Sequence, residues 1–212
     1  MSEEYNQNQI IRKDAQGCFV ESLNDAFGIG KIHFGFSTYD VSKPVGKRQT
    51  NNIPIYISVG EFLELHRKLV CGELRFLMQN KKKSGDMKPL YESMGGTSAD
   101  RLKEQNRPRS DGMSQSRIVQ LVAGSKVDLL FIATSGPGET TDTGLIKPKF
   151  GNKPESRVSV AMAFETFSEL ILTTYAHYMA WLGAFYMRNS KPEAKPKQKN
   201  ADSGAEKDEP PF

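Results

Sequence analysis

Residues 53–72 read I-P-I-Y-I-S-V-G-E-F-L-E-L-H-R-K-L-V-C-G. Ile53, Ile55, Ile57 and Val59 alternate with Tyr56 and Ser58, the period of two that marks a strand with one face buried. Ser58 followed three residues later by Glu61 is a capping box, so a helix is expected to start here. Phe62, Leu65 and Leu69 then recur at helical spacing, and Gly72 marks the stop. This short stretch therefore predicts a strand that runs directly into a helix.

Upstream, Lys31–Tyr39 reads K-I-H-F-G-F-S-T-Y, with Ile32, Phe34 and Phe36 alternating with Lys31, His33 and Ser37. It predicts a second half-buried strand, joined to the first by a basic connection over 43–52 that carries Lys47 and Arg48. Cys18–Leu23 is a further candidate strand. Downstream, residues 73–79 are expected as a strand and 80–116 as a mobile insertion with a short helix near 98–106. From 80 to 117 there are nine basic and five acidic residues, so the insertion is net basic.

The strand-to-helix pattern then returns. Under one constant displacement, Ile53, Ile55, Ile57, Val59, Phe62, Glu64 and Leu65 fall on Val158, Val160, Met162, Phe164, Phe167, Glu169 and Leu170. Under a slightly smaller one, Lys31, Ile32, Phe34 and Phe36 fall on Lys126, Val127, Leu129 and Phe131. Arg117–Val122 and Lys126–Thr134 are expected as a hairpin, 135–143 as a turn and 144–150, with Lys147 and Lys149, as a short strand. The chain is thus expected to be α+β, with two antiparallel sheets each followed by a helix, a duplicated ββββα plan. Its expected parts are a flexible arm over 1–15, a domain over 16–188 (repeat one 17–79, insertion 80–116, repeat two 117–188) and a disordered tail over 189–212. The alternative is a five-stranded OB barrel.

Charge is unevenly placed. The formal net charge is +4, residues 201–212 carry −3, and residues 1–200 therefore carry +7. A basic body with an acidic end points to a polyanion partner for the body and a different partner for the tail. A helix on one face of each sheet leaves the other face solvated. On that face the alternation places Lys31, His33, Tyr39, Tyr56, Lys126 and Arg157. Cations track phosphates and aromatic rings stack on unpaired bases, a pairing suited to single-stranded nucleic acid. Lys47, Arg48, Arg117, Lys147 and Lys149 complete the candidate nucleic-acid-binding set.

Other chemistries find little support. Cys18 and Cys71 are far apart, and His33, His66 and His177 are scattered, so no metal or other cofactor is expected. No Walker-type phosphate loop, GxSxG or HExxH occurs, and the chain is expected not to be an enzyme. The uncharged run Leu170–Met187 contains Thr173, Thr174, Tyr175, His177 and Tyr178 and follows a strand directly, which favours a core helix over a membrane span. Met1-Ser2-Glu3-Glu4-Tyr5 does not read as a signal peptide, and two cysteines suit a reducing compartment, so a cytoplasmic location is expected.

The duplicated four-strand-plus-helix plan over roughly 17–187 resembles the Whirly family and the related transcriptional-coactivator fold. That resemblance implies single-stranded DNA binding across the sheets, with the two helices packed at the centre. The terminal Asp208-Glu209-Pro210-Pro211-Phe212 resembles the tip of bacterial single-stranded DNA-binding proteins. That resemblance implies docking on replication, repair and recombination proteins. Asp208 and Glu209 would meet basic rims, Pro211 would stiffen the chain, and Phe212 would fill an apolar pocket, with Pro210 a further member of the partner-binding tip. Pro210 departs from the usual branched aliphatic residue, and only two acids are consecutive. The expected function is sequence-independent binding and protection of single-stranded DNA in replication, recombination or DNA transfer, in a bacterial, phage or plasmid setting. A homo-oligomer is possible through exposed edges. The rival readings are an interaction scaffold that binds no DNA and a membrane-anchored protein.

Overall fold

The computed structural model describes residues 7–189. Strands β1 (Gln9–Ala15), β2 (Cys18–Leu23), β3 (Lys31–Tyr39) and β4 (Gln49–Ser58) form an antiparallel meander in that order. Helices α1 (Val59–Val70) and α2 (Glu73–Ser84) follow. The plan then repeats with β5 (Tyr91–Thr97), a short α3 (Ala99–Glu104), β6 (Ser114–Ala123), β7 (Leu129–Thr140), β8 (Ile146–Pro148), β9 (Ser156–Met162) and α4 (Phe164–Asn189). In the second sheet β8 and β9 both pair with β7, along 138–140 and 129–135 respectively, so together they take the place that β4 fills alone in the first. The chain is α+β, with two antiparallel sheets each followed by helices.

Local chemistry accounts for the elements that carry the argument. Ile53, Ile55 and Ile57 are buried while Tyr56 is exposed, so the alternation of β4 is a true inside–outside pattern. At the β4–α1 junction the Ser58 hydroxyl accepts the Glu61 N–H, and the Glu61 carboxylate accepts the Ser58 N–H at 2.8 Å, which satisfies two otherwise orphan donors. On β5, a Cβ on Gly96 would lie 2.0 Å from the Gln115 carbonyl oxygen, and φ there is +150°, so only glycine lets β5 approach β6 at this point.

The two halves share one core. Phe131 of β7 lies edge-on to Phe34 (5.7 Å between ring centres), Phe36 (4.8 Å) and Phe167 of α4 (5.5 Å). All four rings are buried, and each edge-to-face pair adds about 0.5–1.5 kcal/mol beyond area burial. The helices cross over between halves. From α4, Thr174 donates to Ser22 of β2 at 2.7 Å and Glu169 pairs with Lys13 of β1, so the second helix covers the first sheet. From α2, Leu74 and Met78 enter the core, Arg75 pairs with Glu165, and Lys82 pairs with Asp128.

Several expectations are corrected. Residues 9–15 of the expected arm form β1, tied to β2 through Arg12, Lys13 and their neighbours. Residues 73–79 belong to α2, not a strand. Leu74, Phe76 and Met78 alternate, yet only Leu74 and Met78 are buried, at helical spacing, and Phe76 is left exposed. The expected insertion 80–116 holds the end of α2, all of β5 and the start of β6 as well as the anticipated short helix. The turn expected over 135–143 is instead β7 as far as Thr140. The repeat also has a different register. Leu129 pairs with Met162 as Ile32 pairs with Ile57, so the counterpart of Lys31 is Asp128, and Lys126 falls in the β6–β7 turn closed by Gly124 N–H to the Asp128 carbonyl. A slip of two residues keeps every side chain on its face, which is why hydrophobic alternation alone did not detect it. Residues 170–187 lie inside α4, and no helix among the described residues is long and apolar enough to cross a membrane.

Candidate nucleic-acid interface

Strand β4 is the edge of the first sheet, and the second sheet curls around it. Near its start, Asn51 donates to Ser156 of β9 at 2.5 Å. Beyond its end, Ser93 of β5 donates to Glu61 at 2.7 Å. Toward the α1 end of β4, the outward side of β3–β4 at His33 and Tyr56 comes near Arg117 on β6 and forms a polar seam.

Four of the sequence-predicted residues converge on this seam. His33 and Tyr56 are directly paired across β3 and β4 and stack with ring centres 4.2 Å apart. His33 is buried, with Nδ1 2.9 Å from Asp25 Oδ1, which fixes the ring as a platform under Tyr56. Tyr56 is 45% exposed. Lys31 stands two residues from His33 on the same face of β3. Arg117 of β6 approaches from the second sheet and donates to Thr97 of β5 at 3.0 Å. Arg117 and Tyr56 lie close enough to influence each other's charge. Burial pulls the Arg117 guanidinium below its ordinary value while Tyr56 acts the other way. Burial, then Asp25, raises the Tyr56 phenol, against the pull of Arg117. The guanidinium remains charged at any physiological pH. Burial would also raise Glu61, but hydrogen bonds from Ser58 and Ser93, with help from Lys31, hold it below the usual carboxylate range.

The rest of the predicted set is dispersed. Lys47 and Arg48 are exposed in the β3–β4 connection, where Arg48 Nε donates to the Lys43 carbonyl. They stand at the end of β4 opposite Tyr56, roughly 25 Å away along the strand. Arg157 is exposed on β9, on the outward face of the second sheet and next to Ser156, which Asn51 reaches. Tyr39 donates to the Ala15 carbonyl and lies beside Phe19, so it closes the β1–β2 turn instead of standing free. Lys126 is exposed in its turn, outside the seam. Lys147 and Lys149 lie on or beside β8, where Lys149 pairs with Glu139 at 2.6 Å. Asp208, Glu209, Pro210, Pro211 and Phe212 lie outside the described residues.

The outward face of the first sheet also carries acids. On the β1–β2 side Arg12 is taken by Asp14 and lies over the Phe19 ring, 3.6 Å from its centre. Glu21 covers Gly35, its carboxyl raised by burial and by Asp14 and lowered by Arg12. The β3–β4 side carries its own acids, Asp25 on His33 and Glu61 near Lys31. Sequence reasoning missed Asp25, Ser93 and Thr97, which orient the seam. Asp25 sits in a turn, and Ser93 and Thr97 lie on β5, whose Gly95-Gly96 pair and polar composition hid the strand.

Among the described residues no three His, Cys, Asp or Glu side chains group as metal ligands would. In comparisons with known proteins, no family model, no curated protein and no solved structure matches the chain.

Proposed function

We propose that the chain binds single-stranded DNA without sequence preference, acts without catalysis, and recruits DNA-processing proteins through its C-terminal tip. The observation that carries this reading is the seam itself. An exposed tyrosine, backed by a fixed histidine, stands beside a half-buried arginine and a lysine. A base stacks on Tyr56, while Arg117 and Lys31 take the flanking phosphates. From there the strand follows β4 toward Lys47 and Arg48. The distance of roughly 25 Å accommodates a few nucleotides, the usual span for one such site. The hydrogen-bonding groups of the seam come from sheet strands and not from a helix of the kind that enters a major groove, which favours single strands over duplex.

The +7 charge of residues 1–200 supplies a long-range attraction, and the −3 of residues 201–212 supplies a separate, oppositely charged contact. The resemblance of the terminal Asp-Glu-Pro-Pro-Phe to bacterial single-stranded DNA-binding tips supports the recruiting role. Fluorescence anisotropy of a labelled oligo-dT of about 30 nucleotides, over a salt series with duplex competitor, tests the reading. Binding that resists duplex and weakens with salt is expected. Absence of binding at low salt, both with and without residues 201–212, overturns it in favour of an interaction scaffold that binds no DNA.

A further inference from the structure

The α4 helix is apolar on the side that faces away from the body. Its buried face is built from Phe167, Leu170, Ile171, Thr174 and Tyr178. On the opposite side, at spacings of three and four, stand Leu172, Ala176, Met179, Ala180, Gly183 and Met187. Leu172 and Met179 are each 43% exposed, Tyr186 60% and Met187 72%, and no charged residue occurs from Leu170 to Met187. A surface helix of a monomer ordinarily carries charge on this side, and one that is apolar all round is ordinarily covered.

We infer that this stripe is a homodimer interface, in which α4 of a second copy packs antiparallel on α4 of the first. Three observations select a second copy over another partner. First, the stripe is self-complementary under a twofold axis between Met179 and Ala180. That axis sets Met179 against the other copy's Ala180, Ala176 against Gly183, and Leu172 against Met187. Met179 then meets the small Ala180, the small pair Ala176 and Gly183 allows close approach of the backbones, and Leu172 packs on Met187 at each end. Second, the stripe has no charge with which to select a partner of opposite charge, and none to repel its own copy. Third, the exposed side chains offer roughly 500 Å² per copy, so a pair buries on the order of 1,000 Å², the lower bound for a specific interface. The interface is separate from the β4 seam, so the dimer presents two seams and two C-terminal tails.

The test is sedimentation equilibrium of the full chain over a concentration series, without DNA. A molar mass twice the monomer's 23.7 kDa is expected for the wild type. Ala180→Glu and, separately, Met179→Lys each place a charge at the centre of the stripe and are expected to halve that mass. Leu63→Glu, at an exposed apolar position on α1, is expected to leave it unchanged. Circular dichroism confirms that each variant is folded, because all three positions face outward. A monomeric wild type overturns the inference. So does a dimer that persists in both stripe variants, which would locate the contact elsewhere.

Discussion

The two halves of the molecule follow one plan and solve its problems differently. In the first, β4 is a single strand that delivers its chain to α1 through a cap made by its own residues, Ser58 and Glu61. In the second, the same edge is broken into β8 and β9, and the position of Ser58 is taken by Ala163, which has no side chain to cap with. Asp128 fills the gap. Its carboxylate accepts the Phe164 N–H at 3.2 Å from the neighbouring β6–β7 turn, and it also holds Lys82 of α2. The comparison teaches that the first half caps its helix with adjacent residues, whereas the second does so with a residue distant in its own sequence, braced by Lys82 of the first. The second half's helix start is fixed by a long-range contact and its helix covers the other sheet. The outward faces differ as well. The first carries Tyr56 and Lys31, whereas the second carries exposed Met94, half-buried Ile118 and Leu130 and buried Ile132, with exposed Arg157 at its edge.

The largest effect should come from the residue that joins them. Phe131→Ala removes the ring that touches Phe34, Phe36 and Phe167 and is expected to cost about 3–5 kcal/mol in urea denaturation, still as a single transition. Two separated transitions would break the comparison by showing that the halves are independent cores.

The caps come next. Asp128→Ala is expected to cost about 0.5–2 kcal/mol and Ser58→Ala about 1 kcal/mol by the same measurement. Asp128 should also show in the pH dependence. The hydrogen bond from Lys82 and then that from the Phe164 N–H hold its carboxyl below the ordinary value. Its contribution is therefore present above the unfolded value of about 4 and is lost as pH falls through the lower folded value. Asp128→Asn should flatten the stability profile in that window and leave it unchanged near neutrality in slope. An identical acid limb in both proteins would contradict this account of the cap.

The smallest effect concerns the tail. Deletion of 201–212 removes a net −3 and is expected to tighten oligo-dT binding a few-fold at low salt, with the difference fading as salt rises. An unchanged affinity across the salt series would show that the tail does not compete for the seam.

Much of this organisation was readable beforehand, and the failures have physical causes. The alternation in Lys31–Tyr39, Ile53–Ser58 and Arg157–Met162, and the Ser58–Glu61 cap, identified three strands and a helix start because each has one buried face. β1 and β5 lacked that signal. Both are edge strands, β1 is mostly polar, and β5 is interrupted by Gly95-Gly96. Leu74, Phe76 and Met78 suited either a strand or a helix, and tertiary packing on β6 decided for α2. Of the candidate site, Lys31, His33, Tyr56 and Arg117 were named from alternation and charge. Their meeting depended on the second sheet curling around β4, which no local pattern encodes.

The central claim is that the seam, and not basic charge at large, binds single-stranded DNA. The most direct measurement compares oligo-dT anisotropy for Tyr56→Ala, Arg117→Gln and Arg157→Gln over a salt series. The account predicts that Tyr56→Ala loses about 1–3 kcal/mol with little change in salt slope. Arg117→Gln should weaken binding and reduce the slope by about one phosphate contact, and Arg157→Gln should change little. Equal, small losses in all three would contradict it, because the binding would then be diffuse and the seam would have no special part in it.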